Sequence, residues 1–315
     1  MLAVTIRDGG ALELAEHPDP VPGAGEVLVR VRAAGLNGAD ILQRRGAYPA
    51  PPGSPPDIPG LELAGEVAGL GPGATRFAEG DRVMAIVGGG GQAELAVVHE
   101  RQLMPVPDGL DWAAAGGFPE VFTTAHDALF AQGGLRPGER LLVHGAAGGV
   151  GTAAVQLGAL AGARVTATVR TPAARDAVAA LGAEAVLDPD GFREHGPFDV
   201  VLELVGAPNL AANVDALATG GRIVVIGVGA GVKAELNLLA LMGKRATLRG
   251  STLRARPLEE KAQAARAVER EVLPALAAGR VRVPVAQTFA LADAAAAYDR
   301  FTRGGKLGKI VLVGG

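Results

Sequence analysis

The chain has 315 residues, 49% hydrophobic and 20% charged, with a formal net charge of -3. That is room for about two domains of roughly 150 residues, with no electrostatic grip on nucleic acid or an anionic membrane. Cysteine is absent, which excludes disulfides, thiolate nucleophiles and thiolate-bound zinc.

Up to about residue 118 the sequence reads as short strands broken by Gly and Pro. Residues 26–32 alternate with period two, and 63–67, 81–87 and 93–98 follow. Turn signals at Pro22-Gly23, Pro72-Gly73 and Gly80-Asp81 separate them, the pattern of a β-rich domain. Proline fixes φ and removes donors, so the segment 49–59 is a loop. From about 119 the pattern changes to buried strands alternating with Ala-rich helices. Strands are expected at 140–144, 164–169, 199–203, 222–226 and 246–250, with helices at 149–161 and 172–181. Strand, helix, strand in this order specifies right-handed crossovers and a doubly wound parallel sheet. Helices at 257–278 and 291–302 and a strand at 309–313 no longer fit the repeat and return to the first domain. The expected division is 1–118 with 256–315, and 119–255.

The strand ending at His144 runs into Gly145, then Ala146-x-Gly148-x-x-Gly151 and a helix. This is the dinucleotide fingerprint with alanine in its first glycine slot. The chemistry needs a backbone without Cβ beside a pyrophosphate, and a helix N-terminus whose free N–H groups face the phosphates. A glycine pattern is weak in a chain with 47 glycines, but the flanking strand and helix are the confirming context. An NAD site would place an acid about twenty residues on, at the end of the next strand. That strand end, Thr168 to Thr171, offers Arg170 instead, with Arg175 one helical turn further. A guanidinium suits a 2′-phosphate, which selects NADPH; an ordinary solvated arginine is the plainer alternative.

His17, His99, His126, His144 and His195 show no metal-ligand spacing, and no lysine stands in a Walker-type loop. Ser54 and Ser251 sit outside any nucleophile elbow. Catalysis therefore rests on positioning and hydrogen bonding without a metal. The first residues meet Arg7 and Asp8 too early for a signal-peptide core, and no stretch approaches the roughly 20 apolar residues of a membrane span. A cytoplasmic location without membrane or nucleic-acid partners is expected.

The residues Asn37, Asp40, Gln43, Arg44, Gly46 and Tyr48, then 59–67, Gly90 to Glu94, Thr123 to Ala125, 144–151 and 308–312, carry a resemblance. Over essentially its whole length the chain resembles the medium-chain dehydrogenase/reductases. It is most similar to their zinc-independent NADPH:quinone oxidoreductase (zeta-crystallin-like) branch, closest to the tumour-suppressor-inducible quinone oxidoreductase group. Zinc-dependent relatives carry Cys where Asn37 stands, and Gly-His-Glu where Gly60, Leu61 and Glu62 stand. The resemblance implies an α/β protein with a GroES-like catalytic domain, a Rossmann cofactor domain and a cleft between them. It further implies hydride delivery from nicotinamide to a quinone or other electrophilic carbonyl, and a homodimer joined through the last cofactor-domain strands. Asn37, Asp40 and Tyr48 would line the substrate side, and Thr124 would lie beside the nicotinamide. Gly148, Gly149 and Val150 would lie under the pyrophosphate, Gly227 near the adenine ribose, and Thr252 and Leu253 at the nicotinamide end. The chain departs from the branch at Ala173-Ala174, where a lysine is usual, and at Leu187-Asp188-Pro189, where a tyrosine is common.

Plainer roles stand beside these. Asn37 and Asp40 could be the N-cap and N3 of a helix over 38–45, Thr123 and Thr124 could bond backward in a helix, and Glu62 could satisfy the donors of the Pro59-Gly60 turn. Two other functions share the framework: reduction of α,β-unsaturated ketones or enoyl thioesters, and NADPH binding without turnover.

Overall fold

A computed structural model describes residues 1–314. The chain forms two units: Met1–Thr123 with Leu253–Gly304 and the segment from Lys309 on, and Thr124–Thr252 with Gly305–Gly308.

The first unit is built on a mainly antiparallel sheet. Its strand order is Val285–Ala290, Lys309–Val313, Glu26–Gly35, Glu62–Leu70, Arg82–Ile86 and Met104–Pro105, with Leu95–His99 also pairing Glu26–Gly35. Period-two alternation puts Val27, Val29 and Val31 on the inner face beside Leu63, Val83 and Leu103. The strands expected in this unit are all present, with bounds that agree to within three residues. Among the elements that escaped the sequence reading are the ribbon of Leu2–Ile6 against Leu12–Glu16, the short strand Met104–Pro105, the helix Trp112–Gly116 and the mostly exposed strand Val285–Ala290. The single helix expected over 257–278 is instead Leu258–Glu271 followed by Leu273–Ala277. Pro274 lacks the N–H that would continue the ladder, so the chain restarts there.

The second unit holds a six-stranded parallel sheet. From one edge the strands are Ala185–Leu187, Arg164–Thr168, Arg140–Val143, Phe198–Glu203, Leu217–Val225 and Thr247–Gly250. Counted along this unit, that is order 3-2-1-4-5-6, the doubly wound arrangement whose strand order reverses between the first and fourth strands. The helix Gly149–Leu160 lies so close to the sheet that a Cβ on Gly158 would meet Leu141 Cδ2 at 2.6 Å. The helix expected over 172–181 is a 3-10 turn, Pro172–Ala174, running into a short helix Arg175–Ala179. Helices Leu210–Asp215 and Leu238–Lys244 are too short to show a clear period in sequence. No helix among the described residues is long and apolar enough to cross a membrane.

Leu142 is fully buried among Phe192, Phe198, Val201 and Leu217. Leu142→Ala is expected to lower stability by about 2–5 kcal/mol in urea unfolding. Val21→Ala, at a position 86% exposed, should change it by less than about 0.5 kcal/mol.

Candidate functional site

In the second unit, Gly148 takes an extended conformation (φ -75°, ψ 169°) and caps the helix that begins at Gly149. Residues 147–150 are half-exposed, so the first-turn N–H groups of Gly149 and Val150, which have no intrahelical partner, are accessible. A Cβ on Gly151 would meet Gly145 O at 2.5 Å and Ala146 Cα at 2.6 Å. Only glycine lets the helix start this near the end of the strand. Gly308 buttresses the turn by donating its N–H to Ala147 O at 2.8 Å. These are the donors and the bare backbone that a pyrophosphate requires.

Around this turn the strand ends are tied together by a buried network. His144 Nε2 lies 2.8 Å from Asn213 Oδ1, and its Nδ1 lies 2.9 Å from Thr168 Oγ1. Asn213 Nδ2 donates to Glu203 at 2.7 Å, so the amide turns its oxygen to His144, which must donate from Nε2. Burial pushes the His144 imidazole below its ordinary range and keeps it neutral. Glu203 also accepts from the N–H groups of Val205 and Gly206 at 2.6 and 2.8 Å. Strands one, two and four thus share one polar clasp at their carboxyl ends. Nothing near His144 in sequence announces this role, since its partners are 24 and 69 residues away.

The other cofactor candidates of this unit fall as follows. Arg170 is exposed and, among the described residues, has neither ion pair nor hydrogen bond. Arg175 donates to Asp188 at 2.8 Å. Thr171 is half-exposed at the start of the 3-10 turn. Gly227 packs against the end of the fourth strand, where a Cβ would meet Leu204 O at 2.3 Å. Thr124 is buried, and Thr252 is exposed. Leu253 belongs to the first unit.

In the first unit, Asn37 and Asp40 belong to a buried cluster that includes Glu62 and Lys309. The Lys309 ammonium donates to Glu62 Oε1 at 2.6 Å, Asn37 Oδ1 at 2.6 Å and Leu36 O at 2.7 Å, using all three of its hydrogens. Asn37 Nδ2 donates to Glu62 Oε1 at 2.9 Å and Gly35 O at 3.3 Å. Asp40 supplies the carboxylate half of a capping box, accepting from the Asn37 N–H at 2.8 Å, and also accepts from the Gly60 N–H at 3.1 Å. Glu62 serves the Glu120 N–H at 2.9 Å, not the Pro59-Gly60 turn. It thereby places a negative charge at the start of the helix Pro119–His126. Thr123 Oγ1 is buried and, among the described residues, has no hydrogen-bond partner, rather than bonding backward along its helix. Tyr48 is half-buried. The buried guanidinium of Arg254 stacks over its ring at 5.0 Å from the centroid and donates to its carbonyl at 2.9 Å. Arg254 was absent from the sequence-derived set, because nothing local marks one arginine among many.

The Alcohol dehydrogenase GroES-like domain family matches residues 23–108, and the Zinc-binding dehydrogenase family matches residues 149–270. The quinone oxidoreductase of Mus musculus is 32% identical over 331 residues, covering 99% of this chain and 98% of that protein. The chain belongs to the medium-chain dehydrogenase/reductase superfamily of oxidoreductases. An alcohol dehydrogenase superfamily protein of Novosphingobium aromaticivorans superposes with a TM-score of 0.88 at 30% identity, covering 99% of each chain. Polyketide synthase GfsB of Streptomyces halstedii is 42% identical over 212 residues, 64% of this chain, but the match spans only 4% of that synthase. The fold class expected from the sequence, a GroES-like domain and a Rossmann sheet, is the one this dehydrogenase/reductase adopts.

Among the described residues no group of three or more His, Asp or Glu side chains could hold a metal, and there is no cysteine. The Glu62 carboxylate is already ion-paired with the Lys309 ammonium.

Burial pushes the Asp40 carboxyl up to about 7, against the Asn37 N–H, Lys309 and the Gly60 N–H, which pull it down. The folded chain therefore keeps a proton that the unfolded chain releases near pH ~4. The stability contributed by this group is complete below about pH 4 and is lost as pH rises through about 7. Asp40→Asn should flatten the melting temperature between those limits, relative to wild type. Parallel profiles would mean that Asp40 is ionised throughout.

Proposed function

We propose that the chain is an NADPH-dependent, metal-free reductase of quinones or other electrophilic carbonyls, in the zeta-crystallin-like branch and nearest its tumour-suppressor-inducible group. The observation that carries this reading is the accessible helix start at Gly148, Gly149 and Val150, set at the strand-order reversal, with an exposed Arg170, unpaired among the described residues, after the second strand. Similarity to the mouse quinone oxidoreductase supports the substrate class. Residues 119–255 are assigned to the cofactor, and 1–118 with 256–315 to the substrate.

The nicotinamide, when bound, supplies a hydride. The helix start holds the pyrophosphate, and Arg170 meets the 2′-phosphate, because Arg175 is shared with Asp188. Thr171 and Gly227 border the adenosine, while Thr124, Thr252 and Leu253 border the nicotinamide. Tyr48 donates a proton to the carbonyl oxygen that gains charge. Both amide hydrogens of Asn37 are already given to Glu62 and Gly35, so Asn37 and Asp40 act as the frame of the substrate side. A second reading, reduction of enones or enoyl thioesters, is favoured by the match to polyketide synthase GfsB.

Steady-state oxidation of NADPH and NADH, with naphthoquinone and with an enone, tests both. Naphthoquinone with NADPH should be the fastest pair. Arg170→Ala should raise KM for NADPH about tenfold while leaving NADH unchanged, and Tyr48→Phe should lower kcat roughly a hundredfold. Turnover indifferent to both substitutions would refute these assignments, and a faster enone would select the second reading.

We also propose a homodimer through the sixth strand of the parallel sheet. Thr247–Gly250 is an exposed edge strand with one free side, and the unit's nearby sequence exposes Val232 (74%), Leu239 (76%) and Met242 (69%). An open sheet edge and large exposed apolar groups in one unit are the features of a pairing surface. Sedimentation should show a two-chain species, converted to monomer by Leu239→Glu with Met242→Glu. A wild-type monomer at high concentration would overturn the assignment.

A further inference from the structure

Arg254 is only 3% exposed, yet among the described residues no carboxylate lies within ion-pair distance of it. A buried cation in that condition is costly unless hydrogen bonds replace its water. Its three nitrogens supply them in three directions. Nε donates to Gly88 O at 2.8 Å, Nη1 to Tyr48 O at 2.9 Å, and Nη2 to Gln43 Oε1 at 2.5 Å. Gln43 passes the connection on by donating to Pro56 O at 3.2 Å. Gly88 packs so tightly on the proline-rich segment that a Cβ there would meet Ser54 Oγ at 2.1 Å. One guanidinium thus joins the end of the helix Gly38–Arg44, the backbone of Tyr48, and both flanks of the loop that follows it. The same group lies 5.0 Å from the Tyr48 ring centroid, within cation–π range.

We propose that Arg254 is the positioning residue for Tyr48: it fixes that residue's backbone and ring, and keeps a positive charge beside it. The proposal rests on the reading of Tyr48 as proton donor and narrows the substrate class. The charge favours a carbonyl whose oxygen takes up the electron pair displaced when hydride adds to the conjugated carbon, and which then receives the tyrosine proton. Lysine would keep the charge but could not reach three acceptors in a planar fork.

Only two tyrosines occur in the chain, and Tyr298 is fully buried with its hydroxyl donating to Gln92 at 3.0 Å. Nitration by tetranitromethane with peptide mapping therefore reads Tyr48 directly, whether or not the protein turns over. In folded Arg254→Met, the nitration rate of Tyr48, divided by its phenolate fraction from spectrophotometric titration because only the phenolate reacts, should be roughly fivefold higher than in wild type. Its kcat with naphthoquinone should fall by about tenfold, with the NADPH Kd from calorimetry unchanged. Arg254→Lys should lie between wild type and Arg254→Met in both measures, and it carries the comparison alone should Arg254→Met not fold. An unchanged nitration rate overturns the positioning role. Faster nitration with unchanged kcat overturns its bearing on the reaction. A wild-type protein that oxidises no NADPH defeats the reductase reading, and the nitration rates then still decide whether Arg254 holds Tyr48.

Discussion

The buried ammonium of Lys309 organises the first unit. It sits on the last strand, where 2% exposure leaves it no water to speak of, and a lone charge there would cost several kcal/mol. The structure meets that cost by spending all three ammonium hydrogens on Glu62, Asn37 and the Leu36 carbonyl. Each partner is then committed in turn. Glu62 turns its second oxygen to the Glu120 N–H, and Gly35 has no side chain because a Cβ there would meet Glu62 Oε1 at 2.2 Å. Strands far apart in sequence and the starts of two helices are held by one cation.

This cluster also governs what Asn37 and Asp40 can do. Their residue types invite a reading as catalytic amide and carboxylate, but every hydrogen of the Asn37 amide is donated within the protein. Asp40 faces two backbone donors in a site dry enough to favour its protonated form. Their contribution is geometric: the helix Gly38–Arg44 is fixed at its start by Asp40 and at its end by Gln43 bonding Arg254. Tyr48 follows that helix and keeps a half-buried ring.

The second unit applies the same economy at the strand-order reversal. His144 directly follows the first strand and Glu203 ends the fourth; the two strands pair with each other, and the chain leaves them in opposite directions, which opens the crevice of a doubly wound sheet. Neutral His144, bonded through Thr168 and Asn213, joins those ends without introducing charge. The glycine turn that follows can then stay half-exposed, with its N–H donors facing solvent, because its base is rigid.

Local pattern was enough for the class of each unit. Period-two apolar residues in 26–32, the strand–glycine–helix order at 140–161, and the absence of cysteine were legible because each depends on neighbours in sequence. The positions of Gly148, Gly149 and Val150 were legible for the same reason, since a helix start is a local event. Short elements such as Leu210–Asp215 were not, being held by packing rather than period. Nor were the pairings that decide chemistry. Lys309 meets Asn37 across 272 residues, and Arg254 meets Tyr48 across 206. An arginine or lysine in a sequence carries no sign of whether it will be solvated, like Arg170, or sealed away, like Arg254. Burial turns the first kind of charge into the second, and only the folded chain determines burial.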